Sequence, residues 1–341
     1  MLRGVVAAWM IGAALALPAG LLNTGAVASP CGYPRPDLSA LGGPARHSSN
    51  ELLLLGRRLF FDTRLSATGG TSCARCHDPR YGYAEPRRVS ISDRGEPGRR
   101  NSPSLLDVGT RPTLMWDGAF CALEQQALGP FARGEMGHGI DHAMRRLSDD
   151  PSYVDLFRVA LGDWPSVGGF TRALAEYQRT LFSAESRVDR FVLVNDPSVL
   201  TPLEHHGYQV FTRRAPCSNC HQLFPLLADG RPSRRPLFTD FRFHNLGVSY
   251  RWGGAADPGR FGVSRITVEW GTFRTPSLRN VARTAPYMHD GSLDTLEGVV
   301  EFYDAGGVPN PHLSSLIRPL GLNGHEKAAL VAFLRALSDQ P

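Results

Sequence analysis

Cys73-Ala74-Arg75-Cys76-His77 and Cys217-Ser218-Asn219-Cys220-His221 repeat one five-residue pattern, C-x-x-C-H, in a chain of 341 residues. The spacing has a chemical reason. Cysteines three apart at the start of a helix point to one side, so both thiols can reach the two vinyl groups of one porphyrin. The adjacent histidine is then carried beneath the iron as its axial ligand. Each copy therefore predicts one covalently bound c-type haem, held by Cys73, Cys76 and His77 in the first case and by Cys217, Cys220 and His221 in the second. The rival chemistries fit less well: a zinc site would need further Cys or His pairs, and a redox dithiol would not need the histidine.

The N-terminus predicts where such chemistry takes place. Arg3 is followed by a largely uncharged apolar stretch through Leu22 and then by Ala26-Val27-Ala28, a small-x-small cleavage signal. Residues 1–28 therefore read as a signal peptide, which places the protein in the periplasm. A membrane anchor is the alternative, and with it peripheral membrane association; Pro18 and Gly20 interrupt the run, and no positive cluster follows it. Cys31 and Cys121 lie outside both motifs. In an oxidising compartment they would form a disulfide or stay as two thiols, and the sequence leaves both open. The formal charge of +5 is dispersed along the chain, which argues against a nucleic-acid site.

A hydrophobic content of 42% over this length is enough for two packed cores. The pattern predicts a mainly α fold of two tandem cytochrome c-like domains with long loops, one haem in each, at 29–195 and 196–341. Asn50 is expected to cap a helix bearing Leu53, Leu54, Arg57 and Phe60, and helices are expected at 151–161 and 168–183. Thr201-Pro202-Leu203-Glu204 combines a capping box with proline at the first helical position. Asn323 and Glu326 open a last helix that buries Leu330, Phe333, Leu334 and Leu337. Segment 183–200 is expected to be a hinge, and strand signals are sparse.

Several ordered segments resemble the bacterial di-haem cytochrome c peroxidase / MauG superfamily. They are Leu59-Phe60-Phe61-Asp62 with Leu65-Ser66, Arg100-Asn101-Ser102-Pro103-Ser104-Leu105, Met115-Trp116-Asp117-Gly118, Glu124-Gln125-Gln126-Ala127 and Glu135-Met136. Phe243-His244-Asn245, Thr275-Pro276-Ser277-Leu278-Arg279-Asn280 and His289-Asp290-Gly291 continue the match over nearly the whole chain after residue 28.

The resemblance implies that the first haem meets hydrogen peroxide and that the second passes electrons from a small donor protein, a cytochrome c or cupredoxin, or from a protein substrate. Family peroxidases place a displaceable histidine after the first motif. Here no histidine occurs between His77 and His138, and the matching position holds Asp93. The first haem is thus expected to stay open, with His138 or His142 as the only nearby rivals for its free face. Gln126 and Glu135 match the distal pocket, where a carboxylate can shuttle the peroxide proton, and Pro130 packs above the iron. Trp116 matches the aromatic between the haems, and Ala119 replaces the usual arginine three residues on. Tyr303 matches the second haem's distal ligand in the MauG branch. It lies on a helix opened by Asp294 with Leu296, Val299 and Val300, and Met288 is the rival ligand. Asn101 with the carbonyls of Thr284 and Pro286 matches a calcium position, where oxygen donors suit a hard cation. The MauG branch also has a Trp two residues before the second motif, where this chain has Ala215.

Overall fold

The structure is a computed structural model, and it describes residues 49–226, 232–250 and 257–339. The signal-peptide reading of 1–28 and Cys31 lie outside the described residues. Twelve α-helices occur among them: α1 (Asn50–Phe61), α2 (Cys73–Cys76), α3 (Leu123–Gln126), α4 (Gly129–Ala132), α5 (Ile140–Ser148), α6 (Pro151–Leu161), α7 (Val167–Arg179), α8 (Arg187–Leu193), α9 (Pro202–Gln209), α10 (Phe261–Ser264), α11 (Leu296–Asp304) and α12 (Gly324–Ala336). The chain is mainly α, as expected; one two-residue antiparallel pair, β1 (Phe243–His244) with β2 (Phe273–Arg274), is the sheet among the described residues.

Helix α1 starts one residue earlier than the sequence suggested. Ser49, not Asn50, is the cap, and its hydroxyl accepts from the Leu52 N–H. The buried stripe is accordingly Leu52, Leu55, Leu59 and Phe60, while Leu54 faces solvent. Helix α7 stops at Arg179 instead of 183, because Thr180 turns its N–H and hydroxyl back onto the Tyr177 carbonyl. Helices α6, α9 and α12 start where their caps predict. Thr201 with Glu204 and Asn323 with Glu326 both form reciprocal capping boxes.

Two apolar cores result. One joins α1, α3, α5, α6 and α7 through residues such as Leu55, Leu59, Phe157 and Phe170; the other joins α8, α11, α12 and the turn after α9 through Val188, Val300, Phe333 and Phe211, with Tyr208 of α9 packed against it. Each is organised by the same device. The helix preceding each C-x-x-C-H motif carries a glycine against which a later helix lays its backbone: a Cβ at Gly56 would stand 2.0 Å from the Ala173 carbonyl oxygen, and one at Gly207 would stand 2.0 Å from that of Ala329. Only glycine permits crossings this close, and they bring each motif beside its own helix pair.

Segment 183–200 carries helix α8 and is tied firmly to its surroundings. Asp189, buried in the first turn, receives both terminal nitrogens of buried Arg279 at 2.7 and 2.8 Å. Arg279 Nε also lies 3.6 Å from Asp107 of the first half. Removing one member of such a buried set leaves an uncompensated charge, at a cost of about 3–5 kcal/mol. No helix among the described residues is long and apolar enough to cross a membrane.

Candidate functional site

The four motif cysteines are not in disulfides. Burial pushes the thiols of Cys73 and Cys217 up to about 12 and that of Cys76 up to about 11. A redox dithiol works through a lowered thiol pKa, so these surroundings suit capped sulfurs instead. Cys121 is disulfide-bonded.

Both motif histidines are set in the same way. His77 Nδ1 lies 3.1 Å from the Tyr83 carbonyl, and His221 Nδ1 lies 3.0 Å from that of Phe238. A carbonyl can only accept, so each Nδ1 carries the proton and each Nε2 keeps a lone pair for a metal. Burial lowers both pKa values and keeps the rings neutral, and the Arg111 charge lowers His77 further. Neutral, tautomer-fixed imidazoles beside paired buried thiols fit the axial ligands of two haems.

Beside the second motif lies a largely apolar cavity. Cys217, Cys220 and His221 line it together with Leu296, Val299, Val300 and Tyr303 of α11. Thr295, one residue after the expected Asp294, caps α11 by accepting from the Gly298 N–H, yet the inward stripe is the one expected. Tyr303 is close enough to Cys217 and Cys220 for thiolate charge there to raise its pKa, in addition to the larger effect of burial. Met288, with φ +71°, lines the same cavity, so both candidate distal ligands face it. Asn101, Thr284 and Pro286 also lie on its wall.

Trp116 stands where the halves meet. It is buried and lines this cavity; its Nε1 donates to the Asn101 carbonyl at 2.8 Å, and its own carbonyl accepts from the Arg274 N–H at 2.8 Å. Around it, Arg100 joins Asp117 of the first half to Asp257 of the second through bonds of 2.6 to 2.8 Å. Beside Ala119, which stands where the resemblance has an arginine, Arg260 Nη1 donates to the carbonyls of Asp117 and Gly118.

Near the first motif, Glu135 is close enough to Cys73 and Cys76 for its charge to raise both thiols. Its side chain reaches solvent but sits in a crowded recess. Burial therefore raises its pKa above the ordinary 4.5, against the pull of Arg133. Asp93 accepts from the Thr68 N–H at 2.7 Å and from the Thr68 hydroxyl at 2.8 Å, one bond to each oxygen. Those bonds outweigh its burial and hold it at about 2. Gln126 reaches Met115 Sδ at 3.7 Å, which sets it beside the Trp116 segment; no hydrogen bond joins it to Glu135 among the described residues. Pro130 closes the loop by accepting the Met136 N–H at 3.2 Å. The rings of His138 and His142 lie 4.4 Å apart, tilted by 38°, and His138 Nδ1 bonds the Gly139 carbonyl.

Sequence reasoning missed Arg111 and Arg274, which line the cavity and are buried at 9% and 2% exposure. In a chain whose basic residues are nearly all arginine, a buried guanidinium carries no sequence signature.

Comparison with known proteins agrees with this geometry. The profile of the di-haem cytochrome c peroxidase family matches residues 50–197. The methylamine utilization protein MauG of Methylorubrum extorquens is 36% identical over 85% of this chain and 79% of its own length. The cytochrome-c peroxidase IdrP2 of Denitromonas iodatirespirans is 35% identical over 87% of this chain and 84% of its own. Among solved structures, a MauG-like protein associated with microbial copper homeostasis superposes with a TM-score of 0.75 at 34% identity, covering 86% of this chain and 91% of that one. With this similarity running over most of both chains and the two haem motifs set as described, the protein belongs to the di-haem cytochrome c peroxidase family and is a haem peroxidase.

Proposed function

We propose that the chain is a periplasmic di-haem c-type peroxidase of the MauG type, with two tandem cytochrome c-like domains at 29–195 and 196–341 behind a signal peptide at 1–28. Each domain binds one haem covalently through its C-x-x-C-H motif. When bound, the haems supply the electron chemistry by which hydrogen peroxide takes up two electrons and two protons and leaves as two waters. Asn101 and the carbonyls of Thr284 and Pro286 hold a calcium ion between the domains.

The observation that carries the reading is the engagement of both Asp93 oxygens by Thr68. A carboxylate held in this way would not serve as a displaceable ligand, 78–137 contain no histidine, and His138 and His142 pack against each other, which supports a haem at His77 that would be free to take up peroxide. Glu135 takes the proton from the inner peroxide oxygen and returns it to the outer, leaving one. Its raised pKa suits both halves of that transfer, because a carboxyl closer to neutrality gives up its proton without ceasing to accept one. Trp116 would stand on the route between the two sites, and Tyr303 would hold the second haem through its phenol oxygen, a donor that, once ionised on binding, suits high oxidation states. Electron paramagnetic resonance of the untreated diferric holoprotein tests the ligation. One high-spin and one low-spin haem are expected; two low-spin signals would contradict the open face.

A second reading concerns the reductant. Ala215 is buried where the MauG branch has its exit tryptophan, which favours a small electron-donor protein, a cytochrome c or cupredoxin, over direct oxidation of a protein substrate. Rapid oxidation of such a reduced donor by peroxide would support it.

A further inference from the structure

Arg111 and Arg274 are a charge pair of one sign in a place where charges are costly. Both are buried, both line the cavity beside the second motif, and neither forms an ion pair with a carboxylate among the described residues. Their hydrogen bonds go to backbone carbonyls. Arg111 Nη2 donates to Ser104 and Leu106 at 2.9 and 2.7 Å; Arg274 donates from Nε to Met115 at 3.3 Å and from Nη1 to Thr275 at 3.2 Å. A guanidinium carries five N–H donors, so these bonds leave several unused on each residue, beside the cavity that both line. Burial lowers Arg111 to about 10 and Arg274 to about 9, and the charge of Arg111 contributes to the shift at Arg274; both remain cationic at neutral pH. Asp107 acts on Arg111 only from beyond ion-pair distance and is no cause of the shift at Arg274, so two adjacent buried cations remain poorly compensated and are unfavourable in the bare polypeptide. The missing partner must be anionic, must enter the cavity and must present acceptors to planar donors, which describes carboxylates.

We propose that Arg111 and Arg274 form a carboxylate cradle that receives haem propionates at the junction of the two halves. This rests on the reading that the cavity holds the second haem. The cradle fixes how that haem is turned: its thioether side faces Cys217 and Cys220, and its propionate edge faces the first half and Trp116. Because the Arg274 N–H also holds the Trp116 carbonyl and its Nε reaches the Met115 carbonyl, the same residue ties the haem edge to the tryptophan segment. A fixed positive charge at that edge favours the reduced haem, so the pair raises its reduction potential.

The test uses holoproteins carrying Arg274→Gln and Arg274→Lys. Intact mass establishes whether two haems are attached, and optical redox titration gives the potential of each. Arg274→Gln is expected to keep both haems and to weaken reduction of the low-spin haem at least tenfold, about 59 mV for one electron. Arg274→Lys is expected to restore most of the difference. Native potentials in a Gln variant with both haems attached would overturn the cradle while leaving the haem reading intact; a native protein without two covalent haems would instead defeat the haem reading. A crystal structure of the native holoprotein decides the matter even if the variants do not accumulate. Propionate oxygens within hydrogen-bond reach of both guanidiniums are expected, and propionates turned away from both would overturn the proposal.

Discussion

The backbone N–H of Asp93 donates to the carbonyl of Glu135 at 2.9 Å. Asp93, proposed to leave the first haem without a displaceable ligand, is thereby joined to the residue proposed to move the proton, and Thr68 bonds both of its carboxylate oxygens. Asp93→Ala should cost about 1 kcal/mol in thermal or denaturant unfolding, since one partly exposed carboxylate loses two hydrogen bonds. The sign with pH follows from the depressed carboxyl. Its stabilising effect is present above the unfolded value near 3.8 and is lost as pH falls toward about 2. The difference between native and variant stability should therefore be full at pH 6 and shrink between pH 4 and 2; a difference that stays constant over that window would show that the Asp93 charge plays no part.

Glu135→Gln should slow the reaction with peroxide by about 10²- to 10⁴-fold while leaving both haems attached, because a positioned proton shuttle contributes on that scale. The native rate should also fall on the acid side with an apparent pKa above 4.5, since burial raises the carboxyl and only its ionised form can accept the first proton. Stopped-flow mixing across pH reads both effects. A variant reacting at the native rate would make Glu135 a bystander and move the shuttle to Gln126, His138 or water.

Tyr303→Phe should change the low-spin spectrum of the second haem, because it removes the only hydroxyl that α11 presents to the cavity. Magnetic resonance of the ferric variant is the check. An unchanged spectrum would transfer the ligand to Met288, which faces the same space.

Gly207→Ala should destabilise the second half. Helix propensity alone favours alanine by about 1 kcal/mol, but the new Cβ would meet the Ala329 backbone oxygen at 2.0 Å, and prying α9 from α12 costs about 1–3 kcal/mol or more. The melting temperature should fall, and a rise would mean that the crossing is looser than described.

What the sequence reveals about this molecule depends on the range of the interaction. Caps and boxes are local, so Thr201 with Glu204 and Asn323 with Glu326 can be read directly. Where two capping residues compete, as at Ser49 and Asn50 or Asp294 and Thr295, pattern alone misplaces the start by one residue, and at α1 the buried face moves with it. The motif residues are legible because the C-x-x-C-H spacing is local, and the cavity-facing position of Tyr303 because helical phase fixes it. Arg274 and Arg260 are not, because the Met115 and Asp117 carbonyls that they bind come from far along the chain, and Arg111 is not, because the cavity that it lines exists only after distant segments have met.

An open, peroxide-ready site at His77 is tested by mixing the as-isolated diferric holoprotein with hydrogen peroxide in a stopped-flow spectrophotometer, without prior reduction. An immediate spectral change at the high-spin haem that saturates with peroxide is expected. No reaction until the protein has first been reduced by one electron would mean that the face opposite His77 is closed at rest, and would contradict the open site.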